Sequence, residues 1–197
     1  STSSVLKELY NDDPKNMEER TQNKRLLDHG QSLLSHLRTS PSSSSLKKEL
    51  RTTLNWLGDL HNELGQYSIC KDMFEESLLI AEALNEPVDI AVSLNNLGLA
   101  WDKLRNSEKS ISFFERALKI REDTYGPNHP CVADTLTGLG NTCATLRDTK
   151  KANSFFERAL KIQEDTYGPN HPRVAITLTG LGNVAVGDPK KSISFFE

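Results

Sequence analysis

The sequence predicts an all-α protein, a right-handed α-solenoid of antiparallel helix pairs with an N-terminal capping helix. Three observations carry that expectation. The stretch FFERALKIREDTYGPNHP from Phe113 returns as FFERALKIQEDTYGPNHP from Phe155, and residues 113–141 differ from 155–183 at only three of 29 positions: Arg121/Gln163, Cys131/Arg173 and Asp134/Ile176. Looser copies extend the pattern. LNWLGDLHNELGQY (54–67) matches LNNLGLAWDKLRNS (94–107), TLTGLGNTCATLRD (135–148) and TLTGLGNVAVGD (177–188), and the second halves begin at Met73, Phe113, Phe155 and Phe195, 40, 42 and 40 residues apart. Within a copy the apolar residues fall at helical spacing, Leu94, Leu97 and Trp101 with Gly98 on one helix, and Phe114, Ala117, Leu118 and Ile120 on the next. A unit of two short helices cannot bury its apolar face alone, so such units stack.

The elements follow in order. Residues 1–46 form a helical cap and a Ser-rich link; residues 47–197 form the array, in units of about 47–86, 87–129, 130–171 and a truncated 172–197. Asp13-Pro14 starts the capping helix, and Leu26, Leu27, Leu33, Leu34 and Leu37 give it an apolar stripe running to about Arg38. That stripe covers the open end of the stack, as the terminal element of a solenoid must. SPSSSS (40–45) is a link that supplies a Ser cap to the next helix. Gly58, Gly98, Gly140 and Gly182 recur at one place on the first helices. Glycine there costs about 1 kcal/mol against alanine, so close helix packing is expected to offset it. At the connectors, Tyr125 ends the long helix, Gly126 is expected in the left-handed closing conformation, Pro127 blocks continuation and Pro130 suits the first turn of the next helix. Asp148 caps the second helix of its unit, and Asp188-Pro189 repeats that cap. The last unit lacks two residues around Val186–Asp188, which predicts a shortened unit with an irregular second helix.

Composition narrows the class. A chain of 197 residues with 36% apolar and 26% charged residues and a net charge of −3 reads as an ordinary soluble globular protein with no basic surface for nucleic acid. No apolar run approaches the roughly 20 residues that span a bilayer, and residues 1–20 are too polar for a signal peptide. Cys70, Cys131 and Cys143 are scattered, which points to a reducing compartment and a cytoplasmic location. A start at Ser1 without Met and a stop at Glu197 inside a repeat read as a fragment of a longer intracellular protein.

The array resembles the tetratricopeptide repeat. The family's Leu, Gly, aromatic, Ala, Phe, Ala positions are matched by Leu97, Gly98, Trp101, Ser110, Phe114 and Ala117, and in the next unit by Leu139, Gly140, Cys143, Ala152, Phe156 and Ala159. The usual period is 34 residues. The 42-residue interval and the GPNHP connector resemble the repeats of kinesin light chain, nephrocystin-3 and the C-terminal arrays of STAND-type signalling NTPases. The resemblance implies a protein-interaction array. In that family a paired Asn on the first helix contacts extended peptides, a pair that Asn95-Asn96 retains.

No catalytic constellation emerges. His129 and His171, one unit apart, read as connector or capping residues, His61, Cys70 and Cys143 as packing, and the Phe113-Phe114 and Phe155-Phe156 pairs as core. EDTY and the Lys and Arg around it read as a solvated face. No metal or cofactor is expected. The remaining candidate is the groove lined by the first helices. Its side chains are Asn55, Asp59 and Asn62; then Asn95, Asn96, Leu99, Asp102 and Lys103; then Thr137 and Asn141; then Thr179 and Asn183. Thr137-Gly138 and Thr179-Gly180 replace the Asn pair and are expected to widen the groove for a bulkier partner, such as a helix. The predicted function is non-catalytic recognition of a protein or peptide in that groove, as part of a scaffold or adaptor. The alternative is the regulatory, ligand-sensing arm of a STAND-type NTPase. The open ends of the stack are candidate surfaces for self-association.

Overall fold

The computed structural model describes residues 14–39 and 43–186. Eight helices follow one another, with no strand among the described residues: α1 Pro14–Thr39, α2 Ser44–Glu63, α3 Tyr67–Leu84, α4 Pro87–Lys103, α5 Ser107–Tyr125, α6 Pro130–Thr145, α7 Thr149–Tyr167 and α8 Pro172–Val186. Each packs on its neighbours in the chain, and α4, α6 and α8 also touch in succession. The result is an all-α repeat solenoid in which α2/α3, α4/α5 and α6/α7 are the helix pairs. No described helix is long and apolar enough to cross a membrane.

The recurring glycines explain the pairing. Phe74, Phe114 and Phe156 on the second helices are buried. An added Cβ would stand 2.4 Å from Phe74 Cε1 at Gly58, 2.7 Å from Phe114 Cδ1 at Gly98 and 2.7 Å from Phe156 Cε1 at Gly140. No real Cβ sits that close, so each ring needs a residue without a side chain opposite it. Ser110, at the family's small-residue position, donates its hydroxyl to Gly98 O at 2.9 Å, which satisfies it inside the pair.

The same rings also join one unit to the next. An added Cβ at Gly138 would lie 2.7 Å from Phe114 Cε1, and one at Gly180 would lie 2.7 Å from Phe156 Cε1. Gly138 is buried beneath the preceding unit's ring rather than opening a groove. At the first joint the sizes are reversed. Gly30 on α1 lies under Trp56 and Leu57 of α2, while Leu34 and Leu37 join Leu50, Leu54 and Leu57 in one buried cluster. The capping helix thus covers the end of the stack, with Leu33 turned outward. The side chain of Leu26 and the end of the last unit from residue 187, including Asp188-Pro189 and the expected irregular second helix, lie outside the described residues.

The caps follow the sequence closely. Ser43 Oγ accepts from Leu46 N, Asn106 Oδ1 from Lys109 N and Asp148 Oδ1 from Lys151 N. The histidines of the connectors cap helices: His129 Nδ1 accepts from Cys131 N and His171 Nδ1 from Arg173 N, both at 3.2 Å. Their rings stack on Tyr125 and Tyr167 with centroids 4.5 Å apart. Gly126 differs from expectation. Its φ of 86° is positive, but its ψ of 161° is extended rather than left-handed helical, as is Gly168's at 82° and 162°. That region is essentially open only to glycine. The chain straightens there, which carries it away from the helix toward the His cap.

Candidate functional site

The predicted groove residues divide into two sets. Asp59, Leu99, Lys103, Asn141, Thr179 and Asn183 are exposed on the first helices, whereas Asn55, Asn62, Asn95, Asn96, Asp102 and Thr137 are half-buried. Two clefts bring some of them together. One, of about 710 Å³ between α6 and α8, is lined by Asn141, Thr145, Arg147, Gly180, Asn183 and Val184 among others. A second, of about 360 Å³, is lined by Tyr67, Asp102, Lys103, Arg105 and Thr145. Asn141 and Asn183 therefore face one space across a joint, and Asp102 and Lys103 another. Asp59 stands apart from both; partial burial, then the charge of Glu63, pushes its carboxyl above the usual range.

Half-burial has a structural cause at three of the sites. Asn95 Oδ1 accepts from Arg121 Nη1 and from Thr135 Oγ1, each at 3.3 Å. Asp102 Oδ1 accepts from Thr142 Oγ1 at 3.2 Å, and the hydroxyls of Thr137 and Thr177 meet at 3.3 Å. These side chains tie successive first helices together, so their bonding capacity is partly used within the stack. Asn55 Oδ1 and Asn62 Oδ1 are closed off with no partner among the described residues.

Arg121 is the residue that sequence reasoning misplaced. It was expected on a solvated face, yet only 8% of it is exposed. Nη1 donates to Thr135 Oγ1 at 2.6 Å, to Cys131 O at 2.7 Å and to Asn95. Burial pulls its pKa below the usual arginine value, although a guanidinium remains charged in any accessible range. In the next unit Gln163, 2% exposed, takes its place and accepts from Thr177 Oγ1 at 2.7 Å. A residue late in a second helix reaches the next unit's first helix here, a contact that helical periodicity alone does not reveal. The only visible signal was that this position differs between otherwise matching copies. Arg105 and Arg147 were also missed, because turn residues follow no helical face, and so was Tyr67, the first residue of α3.

The cysteines pack or sit at a helix start without forming disulfides. Cys70 and Cys143 are buried, Cys131 is half-buried and all three are free. Burial pushes the Cys70 and Cys143 thiols up. His61 is likewise buried, its Nδ1 2.5 Å from Gln66 Oε1. Among the described residues no cluster of His, Cys, Asp and Glu is placed to hold a metal ion.

The tetratricopeptide repeat model matches residues 49–122 and, in an overlapping register, 89–165. That is more than half of the chain, and the chain belongs to the tetratricopeptide repeat family. No curated protein matches it in sequence. Among solved structures, BtubC (BKLC) from P. vanneervenii is similar with a TM-score of 0.73 at 20% identity, covering 86% of this chain and 69% of that one. The nearly identical kinesin-light-chain TPR-like repeats of Podosopora anserina are similar with a TM-score of 0.72 at 13% identity, covering 90% and 84%. A STAND protein with a tetratricopeptide repeat sensor from Pyrococcus horikoshii gives 0.68 at 17%, over 86% of this chain and 26% of that one. At these identities the likeness is one of fold.

Proposed function

We propose that the chain is a non-catalytic protein-interaction module whose ligand, a peptide in extended or helical form, lies along the face of the first helices. The observation that supports this most directly is the pairing of exposed Asn141 and Asn183 across one cleft of about 710 Å³. An Asn side chain offers donors and an acceptor together, so two of them facing one space can hold a peptide amide without demanding a particular sequence. Lys103 and Thr145, at the neighbouring cleft, extend the same face toward the N-terminal units. In this reading the array of residues 47–197 is the binding arm of a larger cytoplasmic scaffold or adaptor, and α1 closes its first end.

A second reading is supported by the likeness to the tetratricopeptide repeat sensor of a STAND protein. The same face would then sense a ligand and release a nucleotide-hydrolysing neighbour. A nucleotide-binding domain upstream of Ser1 favours this reading, and coiled-coil heptads there favour the adaptor.

The test is a selection of peptides from a phage-displayed random library on the native chain. Selected peptides should bind Asn141→Ala/Asn183→Ala at least about tenfold less tightly, the loss of one to two net hydrogen bonds, with melting unchanged because both side chains are exposed. Equal affinity for the double variant overturns the reading.

A further inference from the structure

The joint that α4 makes with the pair α2/α3 is built differently from those that α6 and α8 make with the pairs before them. At the later two, Phe114 lies between Gly98 and Gly138, and Phe156 between Gly140 and Gly180; an added Cβ at any of these glycines would stand 2.7 Å from the ring. At the first joint Phe74 has Gly58 on its own pair, but the place of Gly138 and Gly180 is held by Asn96. A residue with a side chain cannot lie as near a ring as those glycines do, because the space is already filled to crystal density. The backbones reflect it. α4 and α6 come close to each other, as do α6 and α8, whereas α2 and α4 come less close.

The side-chain ties divide in the same way. α4 and α6 are joined by Asn95 with Thr135 and by Asp102 with Thr142; α6 and α8 are joined by Thr137 with Thr177 and by the ion pair of Asp134 with Arg173. Between α2 and α4, Oδ1 of the in-phase Asn55 and Asn62 finds no partner among the described residues. Ser93, in the place of Thr135, is bonded to Ser77 of α3 at 2.9 Å, and Ala100, in the place of Thr142, has no hydroxyl to give. What spans α2 and α4 is a cluster of four charges near the starts of both helices. Lys48 Nζ meets Glu86 Oε1 at 2.5 Å, and Arg51 Nη1 meets Asp89 Oδ1 at 3.0 Å. The two carboxyls crowd each other: burial, then the bond with Glu86, pushes the Asp89 carboxyl up, while the bond from Lys48 holds Glu86 down. Deprived of their cations, two adjacent carboxylates repel, so the cluster closes the joint only while both are opposed.

We propose that the joint between α2/α3 and α4 is the hinge of the stack, with Lys48, Arg51, Glu86 and Asp89 as the clasp that sets how far it opens. The elements α1–α3 turn there as one body against α4–α8. The buried Ser77–Ser93 pair keeps α3 on α4 and acts as the pivot. Opening therefore moves α2 away from α4 and widens the face of the first helices between Asp59 and Leu99. At the later joints the ring wedged between two backbones holds whether or not a charge is lost, so the units from α4 onward keep their spacing.

The experiment measures distances between spin labels on the free chain, introduced as noncanonical residues so that the native cysteines stay. One pair of labels replaces Asp59 and Leu99 across the hinge; the other replaces Leu99 and Asn141, the in-phase sites across the next joint, and all three sites are exposed. Lys48→Met/Arg51→Met should lengthen and broaden the first distance and leave the second unchanged. Asn96→Gly, which gives Phe74 a second glycine, should shorten and narrow the first distance toward the second. If the clasp variant melts early, the native chain in rising salt decides: the first distance should broaden and the second hold, because screening weakens ion pairs and not a wedged ring. A first distance that ignores both salt and the loss of the clasp overturns the hinge, as does equal broadening of the two. An Asn96→Gly chain with the first distance unchanged overturns it too, since the absent glycine would then not be what holds α2 and α4 apart. No ligand enters the measurement, so its result is independent of the peptide selection.

Discussion

The ring socket and the polar recess are built at the same joints from nearly the same letters, yet one is constant and the other is not. Phe114 fits between Gly98 and Gly138 as Phe156 fits between Gly140 and Gly180. Beside them, Arg121 with Asn95 and Thr135 becomes Gln163 with Thr177. A ring wedged between two backbones tolerates no change in volume, because interiors are packed at crystal density. A polar joint tolerates exchange, because a different hydrogen-bonding side chain can take up the hydroxyl of the next first helix, as Gln163 does with Thr177. The socket therefore holds the stack together, and the recess is free to diverge.

The comparison can be broken first at the socket. Phe156→Ala should destabilise the chain by about 3–5 kcal/mol, read from the midpoint of urea unfolding, because it empties a site that serves two units. A loss below about 1 kcal/mol would mean that the glycines close in over the gap and the ring is dispensable. The connector comes next. His129→Ala should cost about 1 kcal/mol through loss of the bond to Cys131 N, and His129→Asn should recover most of it. Equal melting of the Ala and Asn variants would assign the residue's role to stacking on Tyr125 instead. The smallest effect belongs to the recess rim. A double-mutant cycle between Asp134→Asn and Arg173→Gln should give a coupling of about 0.2–1 kcal/mol that shrinks with added salt, since both groups are well exposed. A coupling as large as the socket's would mean that the ion pair, not the ring, holds the joint together.

Much of the fold was legible in the letters. The Gly, Phe and Leu spacing located the helix pairs, and Asp148, read as a cap, and the connector histidines, read as connector or capping residues, do cap their helices. These are local facts: a cap or a turn is decided within four or five residues. Apart from the extended ψ of Gly126, the main exceptions concern the joint between units. Gly138 was read as a widening of the groove and lies under Phe114. Asn95 was read as a free peptide grip and is engaged with Arg121 and Thr135. Arg121 was read as solvated and is buried. Periodicity says which face of a helix meets its own partner, but not how far the following pair leans over, and that lean sets which second-helix side chains reach across.

A repeated phrase, its small-residue positions and its turn chemistry were enough to settle that this chain is a stack of helix pairs. Each of those signals acts over a few residues of contiguous chain, where bond geometry and side-chain size leave few alternatives. Which polar groups bond across a joint and which stay open to a ligand depended on the placement of whole units against one another. Asn95 and Asn141 are both asparagines on first helices, and only the packing of the next unit made one a tie and left the other exposed.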